Sequence, residues 1–139
     1  MDNELINAYL TTDYIIDDTL GMWMINIDQM DKPLSSYLHK FKQPTAAFIT
    51  AFNPMSKRCK ESQNKQQQAK LLKQLQQDSV TFLKGFAIDQ DGAWPQEDSV
   101  LIVNINKQQA SKIAKQYNQA AYVWIDETGM PLLVTHEEY

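Results

Sequence analysis

The sequence is poor in the residues that mark several common kinds of protein. It has one cysteine, two histidines and four glycines among 139 residues. The single cysteine, Cys59, excludes an internal disulfide and is consistent with a reducing compartment. The chain has no cluster of Cys, His and Asp at metal-ligand spacing, no glycine-rich phosphate loop and no nucleophile elbow. We therefore expect no metal site and no cofactor.

Long hydrophobic runs are also missing. The apolar stretches are only a few residues long, and the first ten residues, MDNELINAYL, contain two acids and no base. This pattern predicts neither a membrane span nor a signal peptide. Hydrophobic residues make up 43% of the chain and charged residues 22%, which is ordinary for a globular domain. We interpret residues 1–139 as one domain of a cytoplasmic protein.

The charge is unevenly distributed along the chain. The formal net charge is −4, but segment 57–73 has six basic residues and one acid, which gives it +5 and leaves −9 for the remainder. A basic segment on an acidic body could bind phosphate or an acidic partner. No aromatic residues interleave with these basic residues, and this favours a solvated helix face over a single-strand binding site. We therefore do not expect nucleic acid as a partner.

Hydrophobic periodicity predicts the element order α-β-β-α-β-α-β-β-α-β-β. Helices are predicted at 3–10, from Pro33 onward, at 60–77 and at 107–117. One sheet is predicted to contain the strands 22–28, 45–52, 80–88, 99–105, 120–126 and 130–135. Gly85, inside the strand 80–88, is interpreted as a bulge. Because helices separate several strands, parallel pairs are expected beside antiparallel ones. The predicted fold is α/β (α+β), a single domain with a mixed five- to six-stranded sheet and three to four helices that cover at least one face.

The helix predicted at 60–77 is apolar in its second half and polar in its first. At about 100° per residue, one side of this helix contains three leucines, namely Leu71, Leu72 and Leu75. The same side, continued toward the N-terminus, contains Gln68, Asn64 and Glu61. If the leucines pack on the sheet, Asn64 is directed at the end of the preceding strand, where Asn53 and Ser56 lie. The alternative is a helix that overhangs the sheet, with solvated first turns.

Three segments of the chain form a recognisable pattern. The first is TAFNPMS, which ends the strand 45–52 and contains Asn53 and Ser56, with Asn64 eleven residues after Asn53. The second, WPQEDS, contains Glu97 and Ser99, and the third, YNQAA, contains Gln119. Over most of residues 9–135 the chain resembles an uncharacterised bacterial family, domain of unknown function 3293. The resemblance implies no activity, because none is known for the family.

The chain departs from the family pattern in two places. Tyr117-Asn118-Gln119 replaces the usual Phe-Gly-Gln, and Lys60 occupies a position, four residues before Asn64, where serine is usual.

The helix pattern and the resemblance together select six candidate ligand-binding residues: Asn53, Ser56, Asn64, Glu97, Ser99 and Gln119. Asn53 follows one strand, whereas Glu97 and Gln119 precede two others. If strand 45–52 runs opposite to those two, the three residues reach one sheet edge, where ligands often bind. Amides offer paired donors and acceptors, which suit a base, an amide or a sugar. Glu97 could act as a general base, but the sequence shows no residue that would orient it.

Two functions from different classes remain open. The first is a small domain that binds a small polar ligand such as a nucleotide, with or without slow chemistry. The alternative is a protein-interaction or regulatory module without catalytic activity. A concave cluster of the six residues favours the first, and an exposed apolar patch or a free strand edge favours the second. Structural roles are also open: a turn for Asn53-Pro54, a cap or turn for Ser56, and a surface acid or backbone cap for Glu97.

Overall fold

The computed structural model describes residues 1–19 and 21–139, and this part of the chain has four α-helices and seven strands in the predicted order. The helices are α1 (Asn3–Leu10), α2 (Lys32–Leu38), α3 (Glu61–Gln77) and α4 (Lys107–Gln116). The strands are β1 (Thr12–Asp18), β2 (Gly21–Ile25), β3 (Ala46–Ile49), β4 (Phe82–Asp89), β5 (Glu97–Val103), β6 (Ala121–Ile125) and β7 (Pro131–Thr135). In the described residues, no helix combines the length and the apolar character needed to cross a membrane.

Local sequence explains most of the helix starts. Asp31 caps α2 by accepting from the backbone N of Leu34 over 2.8 Å. At α4, Asn106 and Gln109 form a capping box, in which each side chain accepts from the other residue's backbone N. By contrast, α3 starts after Lys60, whose side chain makes no cap hydrogen bond. The position where the resemblance implies a serine is therefore the N-cap of α3.

All seven strands form one sheet in the order β2-β1-β4-β5-β3-β6-β7, and all neighbouring pairs are antiparallel. The α+β class is confirmed, but the predicted mixed sheet of five to six strands is wrong in strand number and direction. Strand β1, which was not among the strands predicted for the sheet, pairs with both β2 and β4 and belongs to it. The helix-connected strands β3 and β4 do run in the same direction, but β5 lies between them. Strand β3 separates β5 from β6 in the same way, so that β3-α3-β4-β5-α4-β6 forms a split βαβ motif.

Helices cover both faces of the sheet. One face packs against buried residues of α3 and α4, namely Leu71, Leu75, Ala110 and Ala114. Leu72 contacts the same cluster but is only partly buried. The opposite face packs against Leu34 and Leu38 of α2, and Tyr9 of α1 lies against that cluster. The prediction that helices cover at least one face is confirmed, and burying both faces explains why β3 and β5 are apolar along most of their length.

Gly85 has a different role from the predicted bulge. The pairing register continues through it on both sides, with Ile16 opposite in β1 and Ser99 opposite in β5. A Cβ atom at this position would collide with the backbone oxygen of Ile15. The bulge prediction is therefore wrong, and glycine here allows β1 and β4 to approach closely.

Candidate functional site

The ends of five neighbouring strands form one edge of the sheet, perpendicular to the strand direction. Strands β3 and β4 end at this edge, and β1, β5 and β6 begin there. Because β3 is antiparallel to both β5 and β6, Asn53, Glu97 and Gln119 reach the same edge. This confirms the geometric condition stated from the sequence.

A cleft lies between this edge and α1, and we call it the edge cleft. Its enclosed part has a volume of about 80 Å³. The lining residues are Leu5, Ala8, Tyr9, Thr12, Thr50, Phe52, Asn53, Ser56, Ala87, Asp89, Trp94, Pro95, Glu97 and Gln119. Seven of these fourteen residues are apolar or aromatic and seven are polar, and small-molecule sites likewise combine an apolar surface with convergent polar groups.

The loop after β3 holds Asn53 in an uncommon backbone conformation. Asn53 (φ 49°, ψ 65°), Met55 (φ 53°) and Ser56 (φ 60°) all lie in the left-handed region. Asparagine tolerates this region, whereas a methionine there is strained. Two backbone hydrogen bonds hold the loop, from Met55 N to Asn118 O (2.7 Å) and from Ser56 N to Asn53 O (2.8 Å). Such strain is common at functional sites.

The carboxamide of Asn53 is hydrogen-bonded at both of its ends. Its Nδ2 donates to Glu97 Oε2 over 2.6 Å, and its Oδ1 accepts from Asn64 Nδ2 and from Cys59 N, each over 2.9 Å. Asn64 Oδ1 in turn accepts from the backbone N of Asn53 over 2.9 Å. That last bond fixes the orientation of the Asn64 amide, which in turn fixes the orientation of the Asn53 amide. Asn64, Asn53 and Glu97 thus form one directed chain of hydrogen bonds.

The polar half of α3 serves the backbone that continues beyond β3. Besides the contact of Asn64 with Asn53 N, Gln68 Oε1 accepts from Ala51 N over 3.0 Å. These buried amides replace the sheet partners that the chain loses where β3 ends, so the backbone donors remain paired. The predicted polar side of α3 is confirmed for Asn64 and Gln68, which are buried. Glu61, at the start of α3, is exposed and takes no part.

Gln119 presents one face to the protein and the other to the edge cleft. Its Nε2 donates to Phe52 O (3.1 Å) and Tyr117 O (3.3 Å). Since both partners are carbonyl oxygens, the amide nitrogen must face them and Oε1 must face away. Among the described residues Oε1 has no hydrogen-bond partner, and no fully buried side-chain oxygen there is unpaired. Oε1 is therefore not completely buried, and it belongs to a residue that lines the cleft.

Glu97 combines partial burial with an unpaired oxygen. Burial raises the pKa of its carboxyl group, and the hydrogen bond from Asn53 partly offsets this increase. In the part of the chain that the structure describes, no basic side chain forms an ion pair with Glu97. Its Oε1 also lacks a hydrogen-bond partner there and is open to solvent by the same reasoning as for Gln119. A partly desolvated carboxylate without a counter-charge is costly unless it has a partner.

Tyr9 is a cleft residue that the sequence did not predict. Its hydroxyl lies 3.0 Å from Ser56 Oγ, and the Tyr14 hydroxyl donates to the backbone oxygen of Tyr9 over 2.8 Å. Burial raises the pKa of Tyr9, so the phenol is protonated at neutral pH. One hydroxyl proton of the Tyr9–Ser56 pair binds within the pair, and the other can be donated elsewhere. No local signal marks Tyr9, because its partner is 47 residues away.

The six predicted residues divide into two groups. Asn53, Ser56, Glu97 and Gln119 line the edge cleft. Asn64 and Ser99 do not line it: Asn64 holds Asn53 from behind, and Ser99 Oγ donates to the backbone oxygen of Glu97 over 3.1 Å. No cluster of three Cys, His, Asp or Glu side chains suitable for a metal occurs in the described ranges. The site is therefore a set of amides, hydroxyls and carboxylates.

The fold and the site define a class: an α+β domain with a split βαβ core and a polar cleft at one sheet edge. The chain belongs to the family described as Protein of unknown function (DUF3293), whose pattern matches residues 49–122. The matched range is narrower than the predicted resemblance, but it includes all six candidate residues and leaves out α1 with Tyr9. No curated protein and no solved structure gives a match to this chain.

Proposed function

We propose that the edge cleft binds a small polar ligand and that Glu97 is its main polar anchor. This proposal rests on the different environments of the two oxygens of the Glu97 carboxylate. Oε2 is held by Asn53 over 2.6 Å, while Oε1 is left open to the cleft. A carboxylate oriented by the protein on one oxygen and free on the other is suited to accept hydrogen bonds from a ligand.

The free polar groups of the cleft limit what the ligand can be. Glu97 Oε1 and Gln119 Oε1 are acceptors, and the Tyr9–Ser56 pair has one proton to donate. A ligand that fits presents N–H groups beside an apolar or aromatic body. A nucleobase meets this description, since its amino and ring N–H groups donate in the plane of the ring.

A thermal-shift screen against nucleotides and metabolites tests the proposal. A ligand at about 100 times its dissociation constant stabilises a protein by about 2.7 kcal/mol. The decisive comparison uses Ala8→Phe, which fills the cleft from α1, and Ala69→Phe, which adds the same ring on an exposed position of α3. We expect a hit that is lost in Ala8→Phe and kept in Ala69→Phe. Equal loss or equal retention in the two variants contradicts the proposal.

A second candidate function, association through β2, rests on a separate observation. Strand β2, GMWMI, is at one end of the sheet and contains neither charge nor proline, which are the residues that usually protect an edge. Met22 and Met24 are 68% and 57% exposed. In an antiparallel pair of two β2 strands centred on Trp23, Met22 of each copy lies opposite Met24 of the other. We propose a second copy of the chain as the partner in this alternative.

Light scattering at increasing protein concentration tests the alternative. The wild type should change from monomer to dimer, and the double variant Met22→Lys/Met24→Lys should stay monomeric because like charges would then face each other. A wild type that stays monomeric at every concentration contradicts self-association through β2.

A further inference from the structure

Building on the proposed function, we infer that the ligand of the edge cleft is a planar organic cation with N–H donors, of the guanidinium or amidinium class. The first support is the charge of the lining. Two carboxylates, Glu97 and Asp89, line the cleft, and no lysine or arginine is among the residues that line it. No described basic side chain is ion-paired with either carboxylate. A cation is the ligand that would compensate this charge.

Asp89 differs from Glu97 in how its oxygens are used. Its Oδ2 accepts from the backbone N of Ala93 (2.9 Å) and Trp94 (3.0 Å), and its Oδ1 accepts from Asp91 N (3.0 Å). Asp89 therefore contributes charge and shapes the loop beside Trp94. Glu97 Oε1 has no partner among the described residues, and it is therefore the carboxylate oxygen that would contact the ligand directly. Asp89 makes an anion unfavourable in the cleft and a cation favourable.

The second support is the pattern of free acceptors. Glu97 Oε1 and Gln119 Oε1 are both open, and both belong to side chains whose other polar atom is held by the protein. A guanidinium or amidinium group has several N–H donors in one plane and no acceptor, so it can satisfy both oxygens. A carboxylate or phosphate would place its oxygens against these acceptors. A simple ammonium would satisfy the charge, but it is a point donor and lacks the fixed planar set of N–H groups of a guanidinium.

The third support is the aromatic rim. The guanidinium carbon of Arg58 lies 5.9 Å from the centre of the Trp94 ring, and Trp94 lines the cleft. The rim therefore already attracts a guanidinium of the chain itself through the ring face. Arg58 is exposed and not ion-paired among the described residues. Lys65 Nζ likewise lies 5.9 Å from the centre of the Phe52 ring, so two aromatic residues of the cleft already attract cations of the chain itself.

Three probes of nearly the same shape separate charge from size: benzamidine is a cation, benzamide is neutral and benzoate is an anion. Binding is measured by changes in the ¹⁵N–¹H NMR spectrum, with the Gln119 side-chain amide and the Trp94 indole as local reporters. We expect benzamidine to bind most tightly and benzoate not at all. We also expect Glu97→Gln, which can still accept from Asn53, to weaken benzamidine about tenfold, as loss of one charge-assisted contact implies. The exposed Glu127→Gln, with the same chemical change far from the cleft, should leave binding unchanged.

Arg58→Ala gives an independent test of the sign of the charge. If the ligand is a cation, removing Arg58 should leave the affinity unchanged or increase it, because a competing positive charge is lost. An affinity that falls in Arg58→Ala overturns the inference, as does benzamide or benzoate binding as tightly as benzamidine. Failure of benzamidine, agmatine and methylguanidine alike at millimolar concentration also overturns it. A screening hit that is lost in Ala8→Phe would then leave the small-ligand function standing without the cation class. If the screen gives no hit that is lost in Ala8→Phe, both the small-ligand function and the cation class are overturned.

Discussion

The side chain of Asn53 donates from Nδ2 to Glu97 Oε2 over 2.6 Å, and this contact joins the loop after β3 to the first residue of β5. Asn64 on α3 fixes the orientation of Asn53 from the other side. Two packed elements thus determine which oxygen of Glu97 is bound and which is free. The polar start of α3 is a support for this arrangement, and it is not a solvated overhang.

Asn64→Ala should lower the free energy of unfolding by about 1–3 kcal/mol, because it leaves the buried backbone N of Asn53 without a partner. Urea denaturation measures the change. Gln67→Ala, on the exposed side of the same helix, is the matched control and should change stability by less than about 0.5 kcal/mol. Equal effects of the two substitutions would mean that Asn64 has no structural role.

Lys60→Ser should stabilise the protein by about 0.5–2 kcal/mol, because a serine hydroxyl can accept from a free backbone N–H in the first turn of α3. Lys60 has the extended backbone conformation of an N-cap and makes no side-chain cap bond. The control is Lys57→Ser, which makes the same substitution at another exposed lysine, outside α3. A gain that Lys57→Ser reproduces would assign the effect to charge and not to capping.

Gly85→Ala should destabilise the protein by about 1–3 kcal/mol, because the added methyl group forces β1 and β4 apart. The expected collision is with the backbone oxygen of Ile15, which cannot move as a flexible side chain would. Comparison with Lys84→Ala, the exposed neighbour in β4, separates this steric effect from a change in strand propensity. A loss in Gly85→Ala no larger than in Lys84→Ala would contradict the close approach.

The carboxyl group of Glu97 should titrate above its ordinary pKa of 4.5, since burial is the largest cause of its shift. An acid with a raised pKa binds more protons in the folded state than in the unfolded state. Its contribution to stability is therefore fully present below pH 4.5 and is lost as the pH rises through the folded-state value. Wild type should gain stability relative to Glu97→Gln as the pH falls through this window. A ¹³C titration of Glu97 with a midpoint at or below 4.5 would refute the direction.

Local sequence patterns predict the elements well and their neighbours in the sheet less well. The caps, the strand patterns and the leucine side of α3 are all short-range features, and the observed order of elements matches them. The mixed sheet was wrong because periodicity does not reveal which strand inserts between two others. β3 lies between β5 and β6 only as a result of long-range packing. The same limit explains the error at Gly85, since a bulge and a close backbone approach leave the same mark in a sequence.

The candidate site shows the same division. The sequence could predict that Asn53, Glu97 and Gln119 lie close together, because each one borders a strand end. All three also lie within residues 49–122, which match the family. The sequence could not predict Tyr9, because only long-range packing places α1 beside the cleft. Ser99 was selected with the others, but its hydroxyl binds the backbone of its own strand. Whether the remaining residues bind a ligand stays a prediction.

The most direct test of the central claim is a crystal structure of the protein with a hit from the thermal-shift screen. The account predicts a ligand in the edge cleft with an N–H group at hydrogen-bond distance, about 2.7–3.2 Å, from Glu97 Oε1. It also predicts that Asn53 Nδ2 remains bonded to Oε2, as in the structure described above. A ligand bound elsewhere, for example on Met22 and Met24 of β2, or a ligand in the cleft that does not contact Glu97, would contradict the account.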